Sequence, residues 1–166
     1  MNNNFTEFKK IDYSEYKEKY DERVKEKLHA TPTEIDIESL RAYIYGYTFT
    51  EDYAKGIFPD ELSMDYWRDE SEDILDDVTT IQEIRILEAI DSTGDGKSPE
   101  TALCVIDVGQ EYEYLSRVFP YYQLKMACQN VSKGIDCLEF EPNAYGVERI
   151  YFDMRRRFEV GYPHLR

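Results

Sequence analysis

Asp91-Ser92-Thr93-Gly94-Asp95-Gly96-Lys97-Ser98-Pro99 divides the chain. Glycines admit positive φ, short Asp, Ser and Thr side chains bond to their own backbone, and Pro99 removes a donor, so regular structure breaks here. Before this cluster the apolar residues recur at helical spacing. After it they recur at every second position.

On the N-terminal side, Tyr13, Tyr16, Tyr20, Val24 and Leu28 fall at steps of three and four after Asp12, with Glu15 at capping-box distance. This predicts one amphipathic helix ended by Pro32. Thr33 and Asp36 open a second helix carrying Ile37, Leu40, Tyr43, Ile44 and Tyr47 on one side, and a short helical turn over Glu51 to Lys55 follows. Ser63 is the expected N-cap of a third long helix with Met64, Trp67, Ile74, Leu75 and Val78 in one arc. Thr80 and Glu83 form a second capping-box spacing ahead of Ile81, Ile84, Leu87 and Ile90. About four helices with short connections are therefore expected, packed as antiparallel neighbours.

On the C-terminal side, Ala102 to Val108 is a dense apolar run with β-branched members, and Leu124, Met126 and Cys128 alternate with Lys125, Ala127 and Gln129. Ile135 to Glu141 is β-prone, and Ile150, Phe152 and Met154 alternate again. Tyr112, Leu115, Val118 and Phe119 predict one helix between the first two strands, stopped by Pro120. Pro142 to Gly146 reads as a hairpin loop. The expected fold is a single α+β domain over 1–166: a helical layer over 1–91, then a mainly antiparallel sheet with one inserted helix over 100–158.

The 166 residues carry 42% hydrophobic and 14% aromatic side chains, enough to fold without metal or disulfides. The formal charge is −15, which opposes binding to nucleic acid and to anionic membrane surfaces. No apolar run reaches transmembrane or signal-peptide length, so a cytoplasmic protein is expected. Cys104, Cys128 and Cys137 lie in apolar segments without Cys-x-x-Cys spacing and read as reduced core thiols. With only His29 and His164 to join them, neither a metal nor a cofactor is expected.

Four segments together resemble a domain-of-unknown-function family found mainly in Bacteroides-type bacteria. They are Tyr43-Ile44-Tyr45-Gly46-Tyr47, the block from Gly94-Asp95-Gly96-Lys97-Ser98-Pro99 to Ala102, Glu111-Tyr112, and Ile150-Tyr151-Phe152-Asp153. The resemblance implies an α+β domain, helical first and β-rich later. It transfers no activity and no catalytic residue.

The Gly94 to Ser98 loop lacks the glycine spacing and the following helix of a P-loop, and a calcium loop would need a glutamate where Ala102 stands. It is expected to be a structural turn, with Asp95 or Ser98 bonding nearby backbone. A hydrolase-like site near Asp107, Glu111 and Tyr112 is one alternative reading, and a non-inhibitory adaptor another. The strongest signal is the distribution of charge. Residues 51–100 hold 16 acidic and 4 basic side chains, most of the net excess.

On the helix opened by Ser63, Asp65, Asp69, Glu70, Glu72, Asp73, Asp76 and Asp77 project away from the apolar arc, with Tyr66 among them. Like charges at these spacings destabilise a helix by a few tenths of a kcal/mol per pair, a cost that solubility does not require. An aromatic ringed by carboxylates suits an interface with a Lys- or Arg-rich surface. The expected function is that of a small non-enzymatic binding protein that sequesters a basic protein partner, an immunity protein against an antibacterial toxin. Arg155, Arg156 and Arg157 are the internal competitors for the acidic face.

Overall fold

The computed structural model describes residues 12–69, 80–119 and 124–161. Its elements run α1 (Val24–Ala30), α2 (Ile37–Gly46), α3 (Glu51–Ala54), α4 (Met64–Asp69), α5 (Ile81–Asp91), β1 (Leu103–Cys104), α6 (Val108–Val118), β2 (Met126–Ser132), β3 (Ile135–Phe140), β4 (Arg149–Asp153) and α7 (Arg155–Val160). The fold is α+β. Among the described residues the sheet has four strands in the order β1-β4-β3-β2, with β2, β3 and β4 forming an antiparallel meander and β1 parallel to β4. One apolar core draws on both halves, from Leu28, Leu40, Ile44 and Met64 to Ile86, Leu103, Leu138 and Phe152.

The boundary cluster folds as a turn. Gly96 has φ +72, its N–H donates to Thr101 O at 2.8 Å, and its carbonyl accepts from Tyr151 N at 2.8 Å. Asp95 Oδ1 accepts from Lys97 N at 2.9 Å and from Thr101 Oγ1 at 2.6 Å, while Ser98 Oγ accepts from Thr101 N at 3.2 Å. Gly94 is required by close approach, since a Cβ there would stand 2.2 Å from Thr101 O. With its polar groups turned inward on its own backbone, the loop offers no phosphate cradle.

Three hydroxyls join the helical layer to the sheet. Among the described residues no further strand pairs beyond β1, and carbonyls of the segment from Cys104 to Ile106 are met by tyrosines instead. Tyr45 donates to Cys104 O at 2.7 Å and Tyr53 to Ile106 O at 2.6 Å. The Tyr13 hydroxyl lies 3.1 Å from Val105 O and 2.9 Å from Asp153 O. Each bond adds about 1 kcal/mol net, and leaving such a buried carbonyl bare costs more than that. Tyr45 falls outside the apolar stripe expected for the second helix, yet it is fully buried.

The structure corrects the sequence reading at several points. The single helix expected from Tyr13 to Leu28 is a 3-10 turn over Tyr13–Tyr16 followed by α1. Asp21 causes the break: its Oδ1 accepts from Arg23 N at 2.9 Å, and its carbonyl accepts from Val24 N. Asp12 caps only Ser14, without the reciprocal Glu15 bond of a capping box. The first strand is two residues long rather than seven, because the chain turns at Asp107 into a helix that starts at Val108. Helix α7 was not expected at all.

On α5 the Thr80–Glu83 capping box is present, but Ile81 and Ile84 are exposed. Glu83, Ile86, Ala89 and Ile90 are the buried face. Of the three cysteines, all free, only Cys104 is buried; Cys128 is exposed, as is every residue of β2. Ile74, Leu75 and Val78 lie outside the described residues.

Candidate functional site

Helix α4 begins where its sequence puts it, with Ser63 Oγ accepting from Tyr66 N at 3.3 Å. Met64 and Trp67 are buried beneath it, and the Trp67 indole donates to Glu61 O at 3.1 Å. Its first turn is held from outside by α6. Glu113 Oε1 accepts from Met64 N at 3.1 Å, and Oε2 accepts from Ser63 Oγ at 2.8 Å and Asp65 N at 3.2 Å. A carboxylate at this position meets the orphan N–H groups and the positive end of the helix dipole. Burial raises the Glu113 pKa, and these three bonds oppose the shift.

Arg117, four residues along α6, ties the same helix to the core. Its Nη2 lies 2.7 Å from Asp65 Oδ1 and its Nε 2.9 Å from the fully buried Glu83. Arg68 reaches the same Glu83 oxygen at 3.1 Å. Two guanidinium groups on one carboxylate compensate the desolvation of a charge that would be untenable alone.

What α4 turns outward is acidic. The Asp65 side chain is 64% exposed despite its pairing with Arg117, and Asp69 is exposed. Tyr66 is half-buried, its ring 5.1 Å from Trp67 and 6.5 Å from His29, both edge-on. His29 in turn sits 2.8 Å from Glu61. Burial alone would push the Glu61 carboxyl up, but the His29 bond and charge, a backbone bond and the Lys25 charge together outweigh it and leave the pKa lowered. Of the expected face, then, Asp65, Tyr66 and Asp69 lie on α4, the two aspartates exposed and Tyr66 half-buried. Glu70, Glu72, Asp73, Asp76 and Asp77 lie outside the described residues.

Among the described residues the C-terminal arginines have the following partners. Arg155 pairs with Asp153 at 2.9 Å and Arg156 with Glu159 at 3.2 Å. Arg157 is buried, stacks 3.8 Å over the Tyr53 ring, donates to Tyr53 O at 2.9 Å and approaches Asp107 at 4.0 Å.

The three residues of the hydrolase-like alternative are dispersed by α6. Asp107 lines a cavity of about 130 Å3 with Phe58, Leu62, Ile106, Gly109 and Gln110. Tyr112 lines a separate apolar groove with Leu115, Phe119 and Met126. Glu111 lines neither and is fully buried against the sheet, where burial first and Asp136 second push its pKa up to about 10. Asp136 is also buried, with Oδ2 accepting from Gln129 Nε2 at 2.8 Å. Asp136 Oδ1 and both Glu111 carboxyl oxygens are buried and make no hydrogen bond with other described residues. Asp136 was missed because a carboxylate inside an apolar strand carries no sign of which element will cover it.

The Cys104 thiol is pushed up to about 12 by burial, so it is no nucleophile at neutral pH. Among the described residues no group of three His, Cys, Asp or Glu side chains forms a metal site, and no helix is long and apolar enough to cross a membrane.

These features define an acidic α+β domain. A family model for a domain of unknown function, DUF4919, matches residues 72–161, more than half of the chain, and the chain belongs to that family. The match covers the boundary loop, Glu111-Tyr112 and the last strand, and leaves Tyr43 to Tyr47 and all of α4 outside. No curated protein and no solved structure matches the chain.

Proposed function

We propose that this chain is a small cytoplasmic, non-enzymatic protein that sequesters a basic protein partner on the outer face of α4, as an immunity protein occludes a toxin. The observation that carries the reading is the fixation of α4. Glu113 and Arg117 on one side, and Met64 and Trp67 beneath, hold a helix whose exposed carboxylates, Asp65 and Asp69, continue in sequence into Glu70, Glu72, Asp73, Asp76 and Asp77.

A preorganised surface loses little entropy on binding, and a concentrated negative field accelerates encounter with a cationic surface by roughly 10- to 1000-fold at low salt. Tyr66, half-buried against Trp67 and His29, is the aromatic anchor within that field. Occlusion then follows from contact: Lys or Arg residues that the partner uses on its own substrate are covered by the α4 carboxylates. The same net charge disfavours nucleic acid and anionic membranes as direct partners.

The test is recovery of a basic protein from the native cells by the tagged chain, repeated with Asp69, Asp73 and Asp76 changed to Lys. The wild type retains a defined partner and the triple variant loses it at unchanged helical circular dichroism. Equal retention by a folded triple variant contradicts the reading.

A further inference from the structure

Among the described residues β2 is an outermost strand, paired on one side only. Its seven residues, Met126 to Ser132, are all exposed and include neither a proline nor a charged side chain, although 33% of the chain is charged. Native edges are blunted by lysine, proline, a bulge or a covering element, and the bulge between Met126 and Cys128 disturbs only one end of this one. Val131, at the other end, is 40% exposed.

The hydrogen bonds around the strand show which backbone groups stay unused. Phe140 N donates to Glu148 O at 2.9 Å and Met154 N to Gly134 O at 2.8 Å, at the two ends of the β3–β4 pair, so even-numbered residues of β3 face β4. The odd ones, Ile135, Cys137 and Glu139, therefore face β2, where their register partners are Ser132, Asn130 and Cys128. Glu141 N on Lys125 O at 2.9 Å continues the same alternation. Gln129 and Val131 thus turn their N–H and C=O groups outward.

What such an edge accepts is another strand, and charge selects which. The hairpin over 124–141 carries Lys125 and Lys133 against Asp136, Glu139 and Glu141, a net −1 of the chain's −15. Two copies repel least where they meet through this hairpin. The strand is also self-complementary. With a two-fold axis at Asn130, Gln129 faces Val131 of the second copy and the two exchange both backbone bonds, while Cys128 faces Ser132 and Lys133 faces Ala127. No like charges oppose, whereas an axis at Gln129 would set Lys125 against Lys133. We propose that the chain forms a symmetric dimer by antiparallel pairing of β2 with β2 of a second copy, which joins two four-stranded sheets into one. The contact is small, so association is weak and concentration-dependent. It uses no residue of α4.

Sedimentation velocity on the full chain, from micromolar to submillimolar concentration, tests this. The expected result is reversible conversion to twice the monomer mass, at least threefold stronger in molar than in millimolar sodium chloride, because salt screens the repulsion between the acidic remainders. Val131→Pro removes an outward N–H without touching β3, and Asn130→Lys sets two cations face to face on the axis. Each weakens the dimer at least tenfold at unchanged circular dichroism. In a Cys128→Ser, Cys137→Ser background, Asn130→Cys oxidises to a disulfide-linked dimer, since that position meets its own copy, and Ser132→Cys does not. A wild-type chain that stays monomeric at every concentration and salt overturns the proposal and leaves the edge to a strand of another protein. So does a dimer that tolerates both edge variants, or one that links equally through Asn130→Cys and Ser132→Cys.

Discussion

Arg117 and Glu83 lie 2.9 Å apart with the carboxylate fully buried and the guanidinium nearly so. This contact, between α6 and α5, is what allows Arg117 to extend its other nitrogen to Asp65 on α4. The support beneath the acidic face is therefore itself ionic.

Removing one member of a buried pair leaves an uncompensated charge. Arg117→Met keeps the apolar stem but strips Glu83 of one guanidinium, with Arg68 remaining at 3.1 Å. The expected loss is about 3 kcal/mol of unfolding free energy in urea titration. Amide exchange in the first turn of α4 should quicken as well, since Asp65 loses its tether. Unchanged stability would mean that Arg68 alone suffices.

The tyrosine bridges give a second expectation. Tyr45→Phe and Tyr53→Phe remove only an oxygen each, but Cys104 O and Ile106 O then stay buried without those partners. Each variant should lose about 1–3 kcal/mol, read as a lower urea midpoint at unchanged m-value. A loss confined to a few tenths would show that water or another donor replaces the hydroxyl.

Stability should fall with rising pH on account of Glu111. Its pKa is raised from 4.5 to about 10 by burial and by Asp136. The folded chain therefore holds a proton that the unfolded chain releases. Below about pH 4.5 the contribution is fully present, and it is lost progressively as pH rises toward 10, by at most about 1.4 kcal/mol per pH unit. Glu111→Gln supplies a permanent donor toward Asp136, so it should flatten this slope and raise the melting temperature at pH 8. An identical pH slope in the variant would contradict the assignment.

The period change at Asp91–Pro99 places both halves of the fold, and the capping signals at Asp36, Thr80 and Ser63 each mark an observed helix start. Local chemistry of this kind acts within a few residues and is legible one residue at a time. Non-local satisfaction is not. Tyr45 is buried for a carbonyl 59 residues away, and Glu83 for two arginines in other elements. Neither residue fits an apolar stripe, so periodicity assigned Ile81 and Ile84 to the core instead.

The candidate site divides the same way. Asp65, Tyr66 and Asp69 were legible as one helix face because charge and helical spacing are sequence properties. The clamp from Glu113 and Arg117 was not, since both read as ordinary polar positions on the inserted helix. The cavity at Asp107 and Gln110 depends on the loop at Phe58 meeting the start of α6, a juxtaposition that only the fold creates.

Carboxyl footprinting of the chain, free and in complex with the basic protein it retains, addresses the α4 face most directly. Coverage of that face lowers the labelling of Asp65 and Asp69 at least fivefold, while an exposed acid in another element, such as Glu148, keeps its free-state rate. Labelling of Asp65 and Asp69 that is unchanged in the complex, with protection appearing elsewhere, would contradict it.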